Sequence, residues 1–421
     1  MSWLPVGWGV TTLGDCIVPR MSSLNPATCP DEEFDLYSIP AHDQGGYAVT
    51  RGSAIGSSKR IVSPGDVMVS KIVPHIRRAR IVGEATGRRQ IASTEWIVFR
   101  TQVLNQDFLR YFLVSDEFHD QFMKTVSGVG GSLVRAQPSQ VKAIQVPLPP
   151  VDEQQRIVDI LQDHLSRLDA AAGYVAIAQR RLERMVTAVL LDAIPDASAY
   201  PATWKHSTVS GAGSVELGRQ RHPDWHTGPN MRPYLRVANV FEDRIDATDI
   251  MTMHWPDGVF ERFRLHPGDV LLNEGQSPDF LGRPAIYRGE PPDTAFTNSL
   301  IRFRANDRVL PEFALLVFRR HMRAGRFKRE SRITTNIAHL SAARLKPIEF
   351  PIPPLDEQRQ IVSTTRERLG GVSRLAADLR RSSKSGPVLR RSLLAAAFSG
   401  RLTGSLQEAD DGRWRGTEAA E

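Results

Sequence analysis

Residues 146–158 read VPLPPVDEQQRIV, and residues 350–362 read FPIPPLDEQRQIV. Asp152 and Asp356 set the spacing between these copies at 204 residues. The same spacing, within one residue, recurs on the N-terminal side of both. Pro64-Gly65-Asp66-Val67 returns as Pro267-Gly268-Asp269-Val270, STEWIVFR at 93–100 returns as TNSLIRFR at 297–304, and Phe108 and Phe122 return as Phe313 and Phe327. GWGVTTLGD from Gly7 and TWKHSTVSG from Thr203 match more loosely. A period of this length is too long for a solenoid unit of roughly 20–50 residues, so the duplication is of whole domains, each able to bury a core.

The quoted stretch also shows what each copy contains. Before it lie short β-like runs (DVMVS, RIVGE, DVLLNE, AIYRGE) broken by Gly and Pro. The Pro-Pro pair fixes φ and stops a helix from extending backwards, and Asp152 and Asp356 are placed to cap the helix that follows, with Glu153 and Glu357 favoured in its first turn. In the first copy a heptad runs through Leu161, Leu168, Val175, Leu182 and Val189, with Val158, Leu165, Ala172, Gln179 and Val186 in the second seam position. The second copy repeats the pattern with Val362, Leu369, Val372, Ala376 and Leu379. Gly386-Pro387 is then expected to break or kink it before an apolar run from Leu389 to Phe398. Each seam needs an apolar partner, and the other seam is the nearest. The expected fold is α+β: two homologous mixed domains (1–150 and 195–354) joined by two long helices (151–194 and 355–403) forming an antiparallel coiled coil with pseudo-two-fold symmetry. A polar tail at 404–421 is expected to fray.

Of 421 residues, 41% are hydrophobic and 24% charged, which is ordinary globular usage. No apolar run is long enough to span a bilayer, and the first residues lack a leader pattern. The two cysteines, Cys16 and Cys29, exclude a disulfide framework and fit a cytoplasmic location; with His42 they match no metal spacing. There is no Gly-Lys dipeptide for a phosphate loop, no HExxH, no GxSxG and no GxGxxG. Gly128–Gly131 reads as a plain loop. The expectation is a protein without catalysis, metal or cofactor of its own.

The positive signals are basic and polar. Lysines and arginines outnumber acids by 54 to 47. Lys71, Arg77, Arg78, Arg80, Arg88 and Arg89 cluster in the first copy. Arg319, Arg320, Arg323, Arg326, Lys328, Arg329 and Arg332 do so in the second. Such runs suit phosphate contacts, although a solvated face reads the same way. Asn273, Gln276 and Arg283, with Thr334, Thr335 and Asn336, supply the donors and acceptors that base reading needs on loops, where turn chemistry is the competing reading. The copies differ most in these loops, which points to two readers of unlike sequences on a common frame.

RPYLRVANV at 232–240, PGDVLLNEGQS at 267–277, the twin Pro-Pro-Asp-Glu-Gln segments, GWGVTTLGD and LLAAAFSGRLTG at 393–404 together give a pattern that resembles the specificity subunit of type I restriction-modification systems over essentially the whole chain. The resemblance implies two target-recognition domains, each reading half of a split double-stranded DNA site, held apart by the helical pair. It implies two modification subunits that methylate adenine from S-adenosylmethionine, and ATP-dependent restriction subunits, as partners, with no membrane involved. Ala395, Ala396, Ala397 and Phe398 are candidates for partner docking, with core packing as the alternative. A modification-only or phage-exclusion assembly, or a stand-alone DNA-binding regulator, is the competing functional reading.

Overall fold

The computed structural model describes residues 4–5, 7–16, 21–127, 134–334 and 337–404. Two compact units emerge. One comprises residues 1–174 and 381–421, the other residues 175–380. Each therefore owns one half of each of two long helices, Val151–Ala193 and Leu355–Phe398.

The units share a frame. In the first, Gly9–Thr12 pairs antiparallel with Gln145–Leu148, closing the domain just before its long helix; in the second, Lys205–Thr208 pairs with Glu349–Ile352 in the same way. Central strand Val67–Ser70 lies between Ala79–Ile81 and Trp96–Phe99, and Val270–Asn273 lies between Pro284–Ile286 and Leu300–Ala305. Both central strands are buried along their length. Helix Gln106–Phe112 covers the first sheet and Pro311–Arg323 the second. Beyond this frame the units diverge. The first adds a five-stranded sheet containing Glu33–Tyr37 and Arg89–Ala92 in parallel. The second adds a three-stranded sheet around Met231–Leu235 and a small hairpin, Val240–Phe241 with Arg244–Ile245.

The repeated sequence phrases are repeated contacts. Asp66 and Asp269, each 1% exposed, accept two hydrogen bonds from Arg100 and Arg304 respectively, and a third from the backbone N–H of Ser63 or His266. Gln154 and Gln358 are buried at the helix junctions. Gln154 accepts from Asn105 N–H and donates to the carbonyls of Val103 and Pro149; Gln358 accepts from Leu310 N–H and donates to those of Arg308 and Pro353. These amides fasten the long helices to the domains.

The helices themselves depart from expectation in two places. Both begin at the expected positions, Val151 and Leu355, but this puts Asp152 and Asp356 in the first turn, favoured by the macrodipole, rather than at the cap. The Pro150 carbonyl takes the first N–H groups instead. Pro387 does not end the second helix, which runs through it to Phe398. One ladder hydrogen bond is lost there, but residues 387–389 are exposed, which leaves room for the ring, and Leu394 beyond it is anchored in the core.

In the first unit Leu161 and Leu165 share a core with Leu394, Ala397 and Phe398, while Asp169 pairs with Arg390 and Glu153 accepts from Thr403, so the two helix segments run antiparallel. In the second, Val189 and Leu190 share a core with Leu369, and Asp192 pairs with Arg368 at 2.5 Å. Leu161, Val189, Leu369 and Val372 are buried; Leu168, Val175, Leu182, Val362 and Leu379 are half-buried. Seam burial is deepest where the helices meet a domain and lightest between, where Ala172 is exposed.

His321 yields a pH prediction. It is fully buried, with Nε2 at 3.0 Å from the Glu349 carbonyl and no partner on Nδ1 among the described residues; Arg320, Arg326 and the Glu349 carboxylate surround it. Burial pushes its pKa down to about 4. The unfolded chain, near 6.5, takes up a proton first as pH falls. The stabilising contribution is therefore complete above pH 6.5 and is lost as pH falls toward 4. His321→Gln should show a smaller drop in unfolding midpoint between neutral pH and pH 4.5 than the parent, measured by thermal unfolding.

Candidate nucleic-acid interface

In both units the loop that leaves the central strand is stitched to a hairpin that follows the second helix of the domain. In the second unit Gly275–Gln276 pairs with Ile337–His339, which pairs in turn with Arg332–Thr334, forming a small three-stranded sheet. Leu340 N–H reaches the Glu274 carbonyl at 2.8 Å, and Glu274 faces His339 Nδ1 at 3.3 Å. In the first unit Ala136 N–H bonds the Lys71 carbonyl, Val73 N–H bonds that of Val134, and Val126–Ser127 pairs with Arg135–Ala136. The two polar stretches singled out in the second copy, around 276 and around 334, are thus one surface element. Thr335 and Asn336 lie outside the described residues, as do Gly128–Gly131; for Arg332 and Thr334 only the strand is described.

The geometry of the second loop is tight. Gly282 has φ +68°, and a Cβ there would meet the Phe327 ring at 2.4 Å, so only glycine fits. Arg283 donates from Nε to the Val240 carbonyl at 3.0 Å and stacks on Phe241 (4.6 Å) and Phe280 (5.7 Å); burial holds its pKa below the usual arginine value. Phe280 is 51% exposed beside it. Gln276 is half-buried and its Oε1 accepts from Ser277 N–H. Asn273 is completely buried, its Nδ2 directed at the Val240 carbonyl, so it braces the loop from inside and does not face solvent. In the first loop Val73 has φ +48°, a strained value for a β-branched residue, and His75 and Ile76 are exposed at the bend.

The basic runs are largely neutralised, a correction to the expectation of free phosphate-binding faces. Arg77 pairs with Asp116 (2.5 Å) and Arg78 makes two bonds to Asp43 (2.7 and 2.8 Å). Arg88 pairs with the buried Asp35 (2.6 Å) and Arg89 with Glu32 (2.5 Å). Arg80 donates to the Gly46 carbonyl and covers Tyr37. In the second run Arg319 and Arg323 hold Glu242, Arg320 holds Asp196, and Arg326 holds Glu349 and Glu330. Lys328 approaches Asp279, in the loop that leaves the central strand, at 3.4 Å. Lys71 and the exposed Arg329 carry side chains without an ion pair among the described residues. Apart from Glu330, four residues from Arg326, the acids lie more than 20 residues away in sequence, which is why the runs read as unpaired.

Ala397 and Phe398 are also corrected. Both are fully buried, and the Phe398 ring packs edge-on against Phe108 and Phe112 at 5.3 and 5.4 Å. They close the first core and are not available to a partner. Ala396 is half-buried and Ala395 exposed. What the sequence missed is a groove at equivalent places in the two repeats. One, of about 520 Å³, is lined by Arg110, Tyr111 and Leu165; another, of about 200 Å³, by Leu315, Leu316 and Leu369. Arg390 and Arg391 border the first, Arg288 and Arg366 the second.

Among the described residues no helix is long and apolar enough to cross a membrane, and no three His, Cys, Asp or Glu side chains gather as a metal site. The family described as type I restriction modification DNA specificity domain matches residues 5–172 and 268–365. The EcoKI specificity subunit of Escherichia coli K12 is 22% identical over 307 residues, 70% of this chain and 65% of that protein. The StySPI specificity subunit of Salmonella potsdam is 21% identical over 310 residues, 71% and 66% of the respective chains. The chain thus spans about two thirds of the length of these relatives. A chain from a study of complex assembly and conformational transition of the type I R-M system shares the fold with TM-score 0.75 at 21% identity, covering 94% of this chain and 98% of that one. The HsdS subunit of Thermoanaerobacter tengcongensis does so with TM-score 0.54 at 22% identity, with the same coverage. The chain belongs to the type I restriction-modification DNA specificity family.

Proposed function

We propose that this protein is the sequence-reading subunit of a type I restriction-modification complex and that it reads an asymmetric, two-part site on double-stranded DNA. The observation that supports this most directly is the repeated frame carrying unlike reading surfaces. A shared frame suits presentation of two readers in equivalent ways, and unlike loops and distal sheets suit unlike half-sites. In this reading the domains at 1–150 and 195–354 are the readers, and the paired helices set the number of unread base pairs between half-sites. Lys71, Gln276, Arg283, Lys328 and Arg329, with the hairpin strand Arg332–Thr334, are the DNA contacts in this reading.

The partners are two copies of one modification subunit, with restriction subunits beyond them. The equivalent grooves favour this: a duplicated surface seats two copies of the same protein. The target adenine must leave the stack to be methylated, and the pocket that receives it belongs to the partner. Location in the cytoplasm follows from the same reading.

Purified complex of this chain with its modification subunits should transfer methyl groups from S-adenosylmethionine to adenine at one bipartite motif, and adenine-methylation mapping in the host should lose that motif when the gene is deleted. The chain alone should transfer none. Methyl transfer by the isolated chain, or an unchanged methylation map after deletion, would overturn the reading. Persistence of specific, motif-dependent gene regulation without any methylation would favour the regulator instead.

A further inference from the structure

Arg219 lies at the start of an exposed loop in the second unit and belongs to neither basic run. Its guanidinium lies over two indoles, 3.6 Å from the Trp225 ring centre and 4.9 Å from that of the fully buried Trp255. Nη1 donates to the His254 carbonyl at 2.9 Å, which fixes the fork. It has no ion pair among the described residues, and burial works against its charge. A half-buried cation stacked on aromatic faces and lacking a carboxylate retains donors for an external anion. The recess adjoins the reading loop: Asn298 N–H bonds the Arg219 carbonyl, and Glu274 N–H bonds that of Ser299, the next residue along. Residues 219–232 add Arg221 and Arg232, both exposed, against the single acid Asp224.

We propose that Arg219, clamped by Trp225 and Trp255, is a phosphate-binding residue that seats the DNA backbone beside the reading loop of the second unit. The proposal rests on the DNA-recognition reading and adds a contact to it. A phosphate rather than a base edge is the ligand because the guanidinium is held back by two indole contacts and the His254 carbonyl and does not extend to a groove floor, whereas phosphates protrude from the duplex. The tethered Nη1 leaves Nε and Nη2 as the side of the fork that faces an oxyanion.

The test uses the full chain assembled with its modification subunits, titrated against a duplex carrying the mapped site and a duplex of scrambled sequence, across a series of salt concentrations. Arg219→Gln should weaken both duplexes by a similar factor, roughly tenfold at physiological salt, and should lower the slope of log affinity against log salt by about 0.9. Arg219→Lys disturbs the same packing but keeps the charge, and should retain the slope. An unchanged slope in Arg219→Gln, or a loss confined to one base pair of the site, would overturn the clamp. If the parent complex itself shows no salt-dependent DNA binding, the recognition reading fails instead.

Discussion

Asp269→Ala is expected to destabilise the second unit by about 3 kcal/mol while leaving the first untouched. The carboxylate is 1% exposed and accepts from Arg304 at 2.6 and 2.8 Å and from His266 N–H at 2.8 Å. Removing it orphans a backbone donor in a turn that hydrogen-bonds to Tyr287 on both sides, and leaves a guanidinium 41% exposed without its partner. Losing one partner of a buried, hydrogen-bonded pair costs several kcal/mol, somewhat less here because the arginine can be rehydrated. Asp269→Asn keeps an acceptor for His266 N–H and should cost about half as much. Hydrogen exchange localises the effect: protection should fall in strands Val270–Asn273 and Leu300–Ala305 and persist in Val67–Ser70. Asp66→Ala should give the mirror pattern, since Arg100 and Ser63 hold Asp66 identically. Equal loss of protection in both units, or none, would contradict the independence of the two cores.

The mirror pattern explains why so much of the architecture was legible. Pro-Gly-Asp-Val and Pro-Pro-x-Asp-Glu-Gln recur because each encodes a complete local device, a turn closed by a buried acid and a helix start fastened by a buried amide. Such devices tolerate little change. The role of Gln154 and Gln358 was nonetheless invisible, because their partners near 103–105 and 308–310 become neighbours only on folding.

The site was harder to read for the same reason. Arg78 meets Asp43, and Arg319 meets Glu242, across 35 and 77 residues, and no local pattern announces those pairings. Small apolar segments are ambiguous too: Ala397 and Phe398 have the composition of a docking face and serve as the lid of a core. Pro387 shows the limit of propensity. A cost of about 3 kcal/mol in a regular interior did not end a helix whose following turns carry Leu394, Ala397 and Phe398 into the first core. Asn273 illustrates the reverse error, a base-reading side chain by type that packs as a brace.

Deleting residues 170–176 together with 380–386 should remove methylation at the parental site. Each deletion takes out seven residues, so Leu168 is followed at heptad spacing by Leu182, and Leu379 by Leu393, and the apolar seams stay in register. At 1.5 Å per residue each helix shortens by about 10 Å, the length of about 3 base pairs. If the helices set the gap, the two readers no longer reach both parental half-sites together, and the advantage of linked binding, on the order of 10²-fold or more, is lost there. Surviving methylation should map to motifs with the same half-sites and about 3 fewer base pairs between them. These should be bound more weakly than the parental site was, because removing 3 base pairs also turns one half-site by about 100° around the duplex, while a heptad turns a helix by only about 20°. Deleting either segment alone should be worse than deleting both, since it shifts one seam against the other. An unchanged gap in the methylation map of the double deletion would show that the spacing is set by the recognition domains themselves and not by the helices.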